Sequence, residues 1–255
     1  MMEETIETPF GQILSECVDE TGSTNTDLLD RIKREGLNGI LLRRARNQTQ
    51  ARGTRGRKWD GSGGCLMFSV ALPIGKDLRA VSGVTLAIGA AIALALRDQD
   101  VPAEVKWPND ILLFNRKLAG ILVESAKLPD HQYALVIGVG LNISLKEIGL
   151  DSSKASLSEV FSDYSDEQTH LLMCELARAV VRAVDEVLRN GLKRTVLLWD
   201  TIAAYNNQTV EIVQENKQPY EAILIGIDQD GCLLARNGQE IVKLISGMGS
   251  IRLKK

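Results

Sequence analysis

Apolar and polar positions along this 255-residue chain alternate between two periods. Leu28, Leu29 and Ile32 recur at helical spacing behind the cap-forming run Ser23-Thr24-Asn25-Thr26. That spacing predicts a helix with one apolar face, ended by Gly36. Ile40-Leu41-Leu42 then predicts a short strand, and residues 47–64, polar, basic and glycine-rich, a long loop. Residues 65–72 (CLMFSVAL) are continuously apolar, as in a strand buried on both faces. A second apolar run, residues 80–96, predicts a core helix over about residues 78–98. Strands follow at 104–106, 111–114, 117–125 and 133–143, with a hairpin turn at Asn115-Arg116. An amphipathic helix is expected over 167–189, with Leu171, Leu172, Leu176, Val180 and Val184 on one side. Asn190-Gly191 stops it, and another helix runs to about Ala204.

From Thr209 the period changes to that of short strands (TVEIV, EAILIGI, CLLAR, EIVKLI), separated by Asp230-Gly231 and Asn237-Gly238 turns. The expected fold class is therefore α+β: a mixed β-sheet flanked by helices over residues 1–206, then a small barrel-like β module over 207–255.

Composition adds limits. The net charge of −3 gives no global nucleic-acid signature. The opening MMEETIETPFGQ is too acidic and polar for a signal peptide. The 17-residue apolar run at 80–96 is at the short limit for a bilayer span and holds Ser, Thr and two Gly, which suits a globular interior. Four scattered cysteines and two histidines argue against a structural zinc site and for reduced, mostly buried thiols in a cytoplasmic protein.

Three segments carry candidate chemistry. QTQARGTRGRKW, residues 48–59, sets Arg52, Arg55, Arg57 and Lys58 among Gly53 and Gly56. Glycines permit tight turns, and arginine forks suit carboxylates and phosphates. Composition alone leaves three uses open: a small anion, a nucleic acid or solvent. The chain has no GxxxxGK[ST] phosphate loop, and Gly138-Val139-Gly140 is only a GxG, read as close backbone approach to a flat ligand. VKWPNDILL, residues 105–113, reads as a turn between strands, with Trp107 packing and Asn109 and Asp110 capping locally. RKLAGILVES, residues 116–125, opens an apolar strand with Lys117, which by composition alone is an exposed charge.

Together these segments resemble the biotin protein ligases. The family's order of STN, a GRGRxGRxW loop, KWPND, KLAGIL and GxGxN stands here as Ser23-Thr24-Asn25, residues 51–59, 106–110, 117–122 and 138–142. The C-terminal ISGMGSIRL is similar to the end of the family's SH3-like domain. The resemblance implies the class II synthetase-like, biotin–lipoate ligase fold. It also implies an enzyme that uses ATP, Mg²⁺ and biotin to make biotinyl-5′-AMP, then transfers the biotinyl group to a lysine of a biotin carboxyl carrier protein domain, as in acetyl-CoA carboxylase.

The same resemblance distributes roles. Ser23, Thr24 and Gln48 hold the ureido ring, and Arg52 adds backbone contacts. Lys117 reaches the biotin carboxylate and the α-phosphate, and Arg55, Arg57 and Lys58 meet ATP phosphates. Asn142 contacts adenine, Gly138 and Gly140 line the wall, and Asn109 and Asp110 sit near the ribose-phosphate or metal region. Asn25, Gly53, Trp59, Lys106 and Gly120 complete the binding set. Lys117, Arg52 and Asp110 form the catalytic set, with Asp110 a candidate base for the acceptor lysine. No metal ligand is assigned.

The loop departs from the family pattern at two positions: Ala51 replaces a glycine and Thr54 an arginine. A lost charge-assisted contact, worth roughly 1.5–3 kcal/mol, implies looser retention of the adenylate. With STN beginning at residue 23, no N-terminal winged helix-turn-helix is expected, and so no operator DNA binding; no membrane role is expected either. Homodimerisation occurs in the family, and the sequence does not decide it. Two other readings remain at this point: a lipoate or octanoate ligase-like acyltransferase, and a non-catalytic biotin- or adenylate-binding paralogue.

Overall fold

The computed structural model describes residues 2–60, 64–144, 153–161, 164–215 and 217–254. Residues 61–63, the end of the expected long loop, lie outside them. Two strands precede the first expected element. β1 (Met2–Thr8) and β2 (Gly11–Thr21) form an antiparallel hairpin. The side chains buried here include Ile6, Ile13, Ser15 and Glu16, too few of them apolar to give the alternation that signals a strand.

α1 (Thr24–Glu35) follows, with Ser23 at the N-cap and Gly36 at the C-cap. β3 (Ile40–Gln48) is longer than the apolar triplet predicts, because parallel pairing with β2 and antiparallel pairing with β4 (Cys65–Gly75) carry its polar half along. β4 is buried on both faces from Leu66 to Leu72, as its unbroken apolar run requires.

The apolar run at 78–98 is not one helix. Leu78–Val81 makes a 3₁₀ turn, Gly83 takes a left-handed φ of 71°, and α2 (Val84–Arg97) starts after it. A Cβ on Gly83 would lie 2.1 Å from Leu192 Cδ1, so packing as well as backbone favours glycine there. Ten of the 14 residues of α2 are buried, the expected state of a core helix.

β5 (Ala103–Lys106), β6 (Asp110–Leu113), β7 (Arg116–Lys127) and β8 (Tyr133–Asn142) complete an eight-stranded sheet of order β1-β2-β3-β4-β8-β7-β6-β5. The β6–β7 turn is one residue earlier than expected: Phe114 and Asn115 hold φ of 50° and 61°, and Arg116 already belongs to β7. α3 (Asp166–Asn190) buries Leu172, Leu176, Val180 and Val184 as expected, with Met173, Ala177 and Val181 beside them. Leu171 falls off that stripe and is 61% exposed. α4 (Lys193–Ile202) closes this part of the chain.

Alternation along the strands sorts residues between two faces. Leu42, Val70, Leu72, Leu135 and Ile137 join α2 and α3 in the main core. Leu41, Ala71, Ala134 and Val136 point the other way and meet only Leu28 and Ile32 of α1 and a few neighbours. One short helix therefore covers the second face, and the sheet beyond its N-terminus is left for a site.

The expected C-terminal β module is a five-stranded antiparallel sheet, SH3-like in kind, of β9 (Thr209–Gln214), β10 (Tyr220–Ile227), β11 (Leu233–Asn237), β12 (Glu240–Leu244) and β13 (Gly249–Leu253), in the order β12-β11-β10-β9-β13. Trp107, 2% exposed, donates its indole N–H to Gly231 O at 3.1 Å and ties the two sheets together, a packing role as expected.

Candidate active site

On the α1 face, a cavity of about 520 Å³ opens at the helix N-terminus. Its floor is β4, β7 and β8, and its rim is the segment between β3 and β4. That segment is a small flap rather than an open loop. Arg52 bridges Lys58, Trp59 N–H donates to Ala51 O at 3.0 Å, and Thr54–Gly56 forms a 3₁₀ turn at the tip with Arg55 at φ 59°.

One end of the cavity is neutral and polar. Gln48 Oε1 accepts from Thr24 N–H at 2.8 Å. Thr24 Oγ1 lies 2.7 Å from Ser69 Oγ, which donates to Asn25 Oδ1 at 2.6 Å. Asn25 Nδ2 donates to Glu124 Oε2 at 2.8 Å, and Arg52 adds a two-pronged bond to the same carboxylate at 3.1 and 2.8 Å. Ser23 holds the N-cap position, but its side chain makes no cap bond and lines the cavity instead. Chained hydroxyls and amides at a helix N-terminus offer fixed donors and acceptors to an uncharged polar ring.

The other end is cationic. Lys117 Nζ sits 2.5 Å from Asp110 Oδ1 and 5.2 Å from the centre of the Trp59 ring. Salt bridge and ring together fix one orientation of the ammonium. Arg57, Lys58 and Lys154 also line the cavity, with Lys154 paired to Asp60 at 3.3 Å. Behind them, burial holds Lys106 below the ordinary lysine range, opposed by Asp110 and reinforced by Lys117, Arg252 and Arg57. A wall with this excess of positive charge attracts an anion.

Three glycines shape the space between. A Cβ on Gly140 would fall 2.7 Å from the Trp59 indole, and one on Gly120 2.9 Å from it. A Cβ on Gly138 would meet Asn25 Oδ1 at 2.5 Å. The close approach expected at the GxG thus first serves the protein's own Trp59 and Asn25. Trp59 Nε1 is buried with no hydrogen-bond partner, an unused donor against the cavity wall.

Most of the expected site residues gather here: Ser23, Thr24, Asn25, Gln48, Arg52, Gly53, Arg57, Lys58, Trp59, Asn109, Lys117, Gly120, Gly138, Gly140 and Asn142 all line the cavity. Arg55 does not. Its Nη2 donates to Gly249 O at 3.0 Å, because the left-handed turn at the flap tip aims it at β13. Lys106 and Asp110 stand behind the wall, Asp110 as the partner of Lys117. Asn142 commits Nδ2 to Lys117 O and Ala155 O at 3.2 and 2.8 Å, so its amide donors hold β7 in place. Asn109 likewise spends Nδ2 on Ile121 O at 3.1 Å. Ala51 is buried and is not at positive φ, so alanine fits without backbone strain.

Sequence reasoning missed Ser69, Glu124, Asp60 and Lys154. Ser69 is a lone polar residue inside an apolar strand, fully buried, which was a readable signal. Glu124 is the acidic residue two positions beyond KLAGIL. Asp60 and Lys154 carry no local pattern.

The eight-stranded sheet with its flap, helix-capped polar pocket and lysine floor has a counterpart among known proteins. The biotin protein ligase of Aquifex aeolicus, solved in complex with biotin and ATP, superposes with a TM-score of 0.80 over 94% of this chain and 99% of that one, at 23% identity. The fold is thus that of a biotin protein ligase. The pattern of the biotin/lipoate A/B protein ligase family matches residues 17–142. The bifunctional ligase/repressor BirA of Escherichia coli is 30% identical over 236 residues, covering 90% of this chain and 71% of that protein. The biotin–[acetyl-CoA-carboxylase] ligase of Mycobacterium tuberculosis is 37% identical over 150 residues, 56% of this chain and 54% of that protein. The chain belongs to the biotin/lipoate A/B protein ligase family.

Proposed function

We propose that this protein is a biotin–[biotin carboxyl carrier protein] ligase. It activates biotin with ATP to biotinyl-5′-AMP and transfers the biotinyl group to a carrier lysine. The observation that carries the reading is the polarity of one cavity: a neutral hydrogen-bonding end at Thr24, Gln48 and Ser69, and a cationic end centred on Lys117. Biotin has that same polarity, an uncharged ureido ring at one end and a carboxylate at the other. The biotin–[acetyl-CoA-carboxylase] ligases among the relatives favour biotin as the acid.

In the first step a carboxylate oxygen attacks the α-phosphorus, the bond to the bridging oxygen breaks, and pyrophosphate leaves. Two anions must approach each other, and Lys117, held by Asp110 and Trp59, offsets their repulsion without reorganising. Arg57 and Lys58 face the triphosphate, and the buried Trp59 N–H is a donor for an adenylate oxygen. In the second step the neutral carrier amine attacks the acyl carbon, the bond from that carbon to the phosphate oxygen breaks, AMP leaves and the amine's proton passes to solvent. Asp110 acts as a positioning residue for Lys117, since its carboxylate is already engaged.

Mg²⁺ enters with ATP. The carboxylates nearest the phosphate end, Asp60 and Asp110, are each paired with a lysine, so they form no dedicated cage. A magnesium ion carried on substrate phosphates would fit such a site, where it would supply positive charge to a pyrophosphate leaving group. We place the reaction in the cytoplasm, the carrier domain as the protein partner, and the boundary between catalytic part and C-terminal module at residues 206–207.

The test is direct. With ATP, Mg²⁺ and biotin the protein releases pyrophosphate and accumulates an acyl-adenylate. With lipoate in place of biotin it does not. Adenylate from lipoate alone, or binding of biotin without pyrophosphate release, overturns the reading.

A further inference from the structure

On the sheet face opposite the cavity, three side chains with no part in the chemistry above converge. His170 and Cys174 lie four residues apart on the first turns of α3, so they share one helix face. Glu4 reaches them from β1. Glu4 Oε2 is 3.2 Å from His170 Nε2, and Cys174 Sγ is 3.6 Å from the same nitrogen. All three donor atoms lie within 4.8 Å of one another, the one such group of three among the described residues.

These spacings have a definite meaning. Zinc bonds of about 2.0–2.1 Å to nitrogen, 2.3 Å to sulfur and 2.0–2.2 Å to oxygen, at tetrahedral angles, give edges of about 3.3 Å for N–O and 3.5 Å for N–S. The two edges that meet at His170 Nε2, 3.2 and 3.6 Å, are those of a tetrahedron that a zinc-sized ion fits. The donor set mixes imidazole, thiolate and carboxylate, which favours a borderline-soft ion over magnesium or calcium. Exposure is graded: Cys174 is buried at 7%, while His170 and Glu4 are partly open to solvent, so an ion can enter from one side. Burial and then Glu4 push the Cys174 thiol up, only partly opposed by Arg178 and Arg44, and Arg178 also donates to Glu7 O at 3.0 Å, anchoring β1 beside the cluster.

We propose that Glu4, His170 and Cys174 form a zinc-class metal site with water in the fourth position, which fastens the N-terminal hairpin to α3. On binding, the Cys174 thiol gives its proton to solvent. The thiolate, the neutral His170 Nε2 and the Glu4 carboxylate then each donate one electron pair, with no change of oxidation state. In the sequence, two histidines and no CxxC pair argue against a structural zinc site. The proposed site draws its third ligand from a strand more than 160 residues away in the chain, which no local spacing reveals.

The test uses the full chain, stripped of metal with a chelator and kept free of ATP, titrated with Co²⁺ and then with Zn²⁺. One equivalent of Co²⁺ gives a near-ultraviolet thiolate-to-cobalt band, which Zn²⁺ bleaches by displacement. Cys174→Ser removes the band, and His170→Gln, at a solvent-facing position that leaves folding intact, weakens binding about tenfold or more. Cys232→Ser, in the C-terminal sheet, keeps the band. Absence of the band in the unaltered protein, or its persistence in Cys174→Ser, overturns the proposal. So does one-equivalent Zn²⁺ binding that His170→Gln leaves unchanged.

Discussion

At the scale of single residues, the site turns on which groups are held and which are left open. Lys117 reads from sequence as a charge at a strand start. The structure shows why the composition-based expectation fails: its neighbours in space, Asp110 and Trp59, come from two other segments. KWPND and KLAGIL pointed to it only through the family resemblance. Thr54 lines the cavity where an arginine would reach it. Thr54→Arg is expected to slow escape of biotinyl-5′-AMP about tenfold or more, measured as release of labelled adenylate. An unchanged release rate removes this reading of the flap. Burial pushes the Cys65 thiol up to about 12, helped by Asp60. A raised thiol pKa keeps the group protonated below that value, so Cys65 resists iodoacetamide through neutral pH and is labelled only in strong alkali. Peptide mass spectrometry at pH 7 reads this directly.

At the scale of elements, periodicity located α1, β4 to β8, α3 and the C-terminal strands, because each buries a face with its own repeat. It missed β1 and β2, whose buried positions include Ser15 and Glu16. It also ran the 3₁₀ turn and α2 into one helix, because apolar content is unbroken across Gly83 and only the left-handed φ and the contact with Leu192 mark the break. Gly83→Ala is therefore expected to destabilise the fold by about 1 kcal/mol or more, seen as a lower thermal midpoint. Were that position part of a continuous helix, alanine would stabilise instead. The glycines of β8 were legible as points of close approach, but not the partner, since Trp59 arrives from a separate segment.

At the scale of the whole molecule, the two faces of the large sheet divide the work. One is sealed by α2 and α3 and supplies most of the core; the other carries only α1 and so keeps a cavity. The flap over that cavity is tied to the C-terminal sheet by Arg55 and Gly249 O. That contact links residues 194 positions apart, which no local pattern reveals. Arg55→Ala is expected to free the flap tip, raising amide hydrogen exchange at residues 51–59 and the rate of adenylate loss together. A change in neither would mean that the C-terminal sheet does not brace the flap.

The most direct measurement is the mass of a biotin carboxyl carrier domain after incubation with this protein, ATP, Mg²⁺ and biotin. The carrier gains one biotinyl group on one lysine, and Lys117→Gln lowers the initial rate about 10²–10³-fold while biotin still binds. An unmodified carrier, or full activity in Lys117→Gln, would contradict the assignment of this cavity as a biotin-activating site.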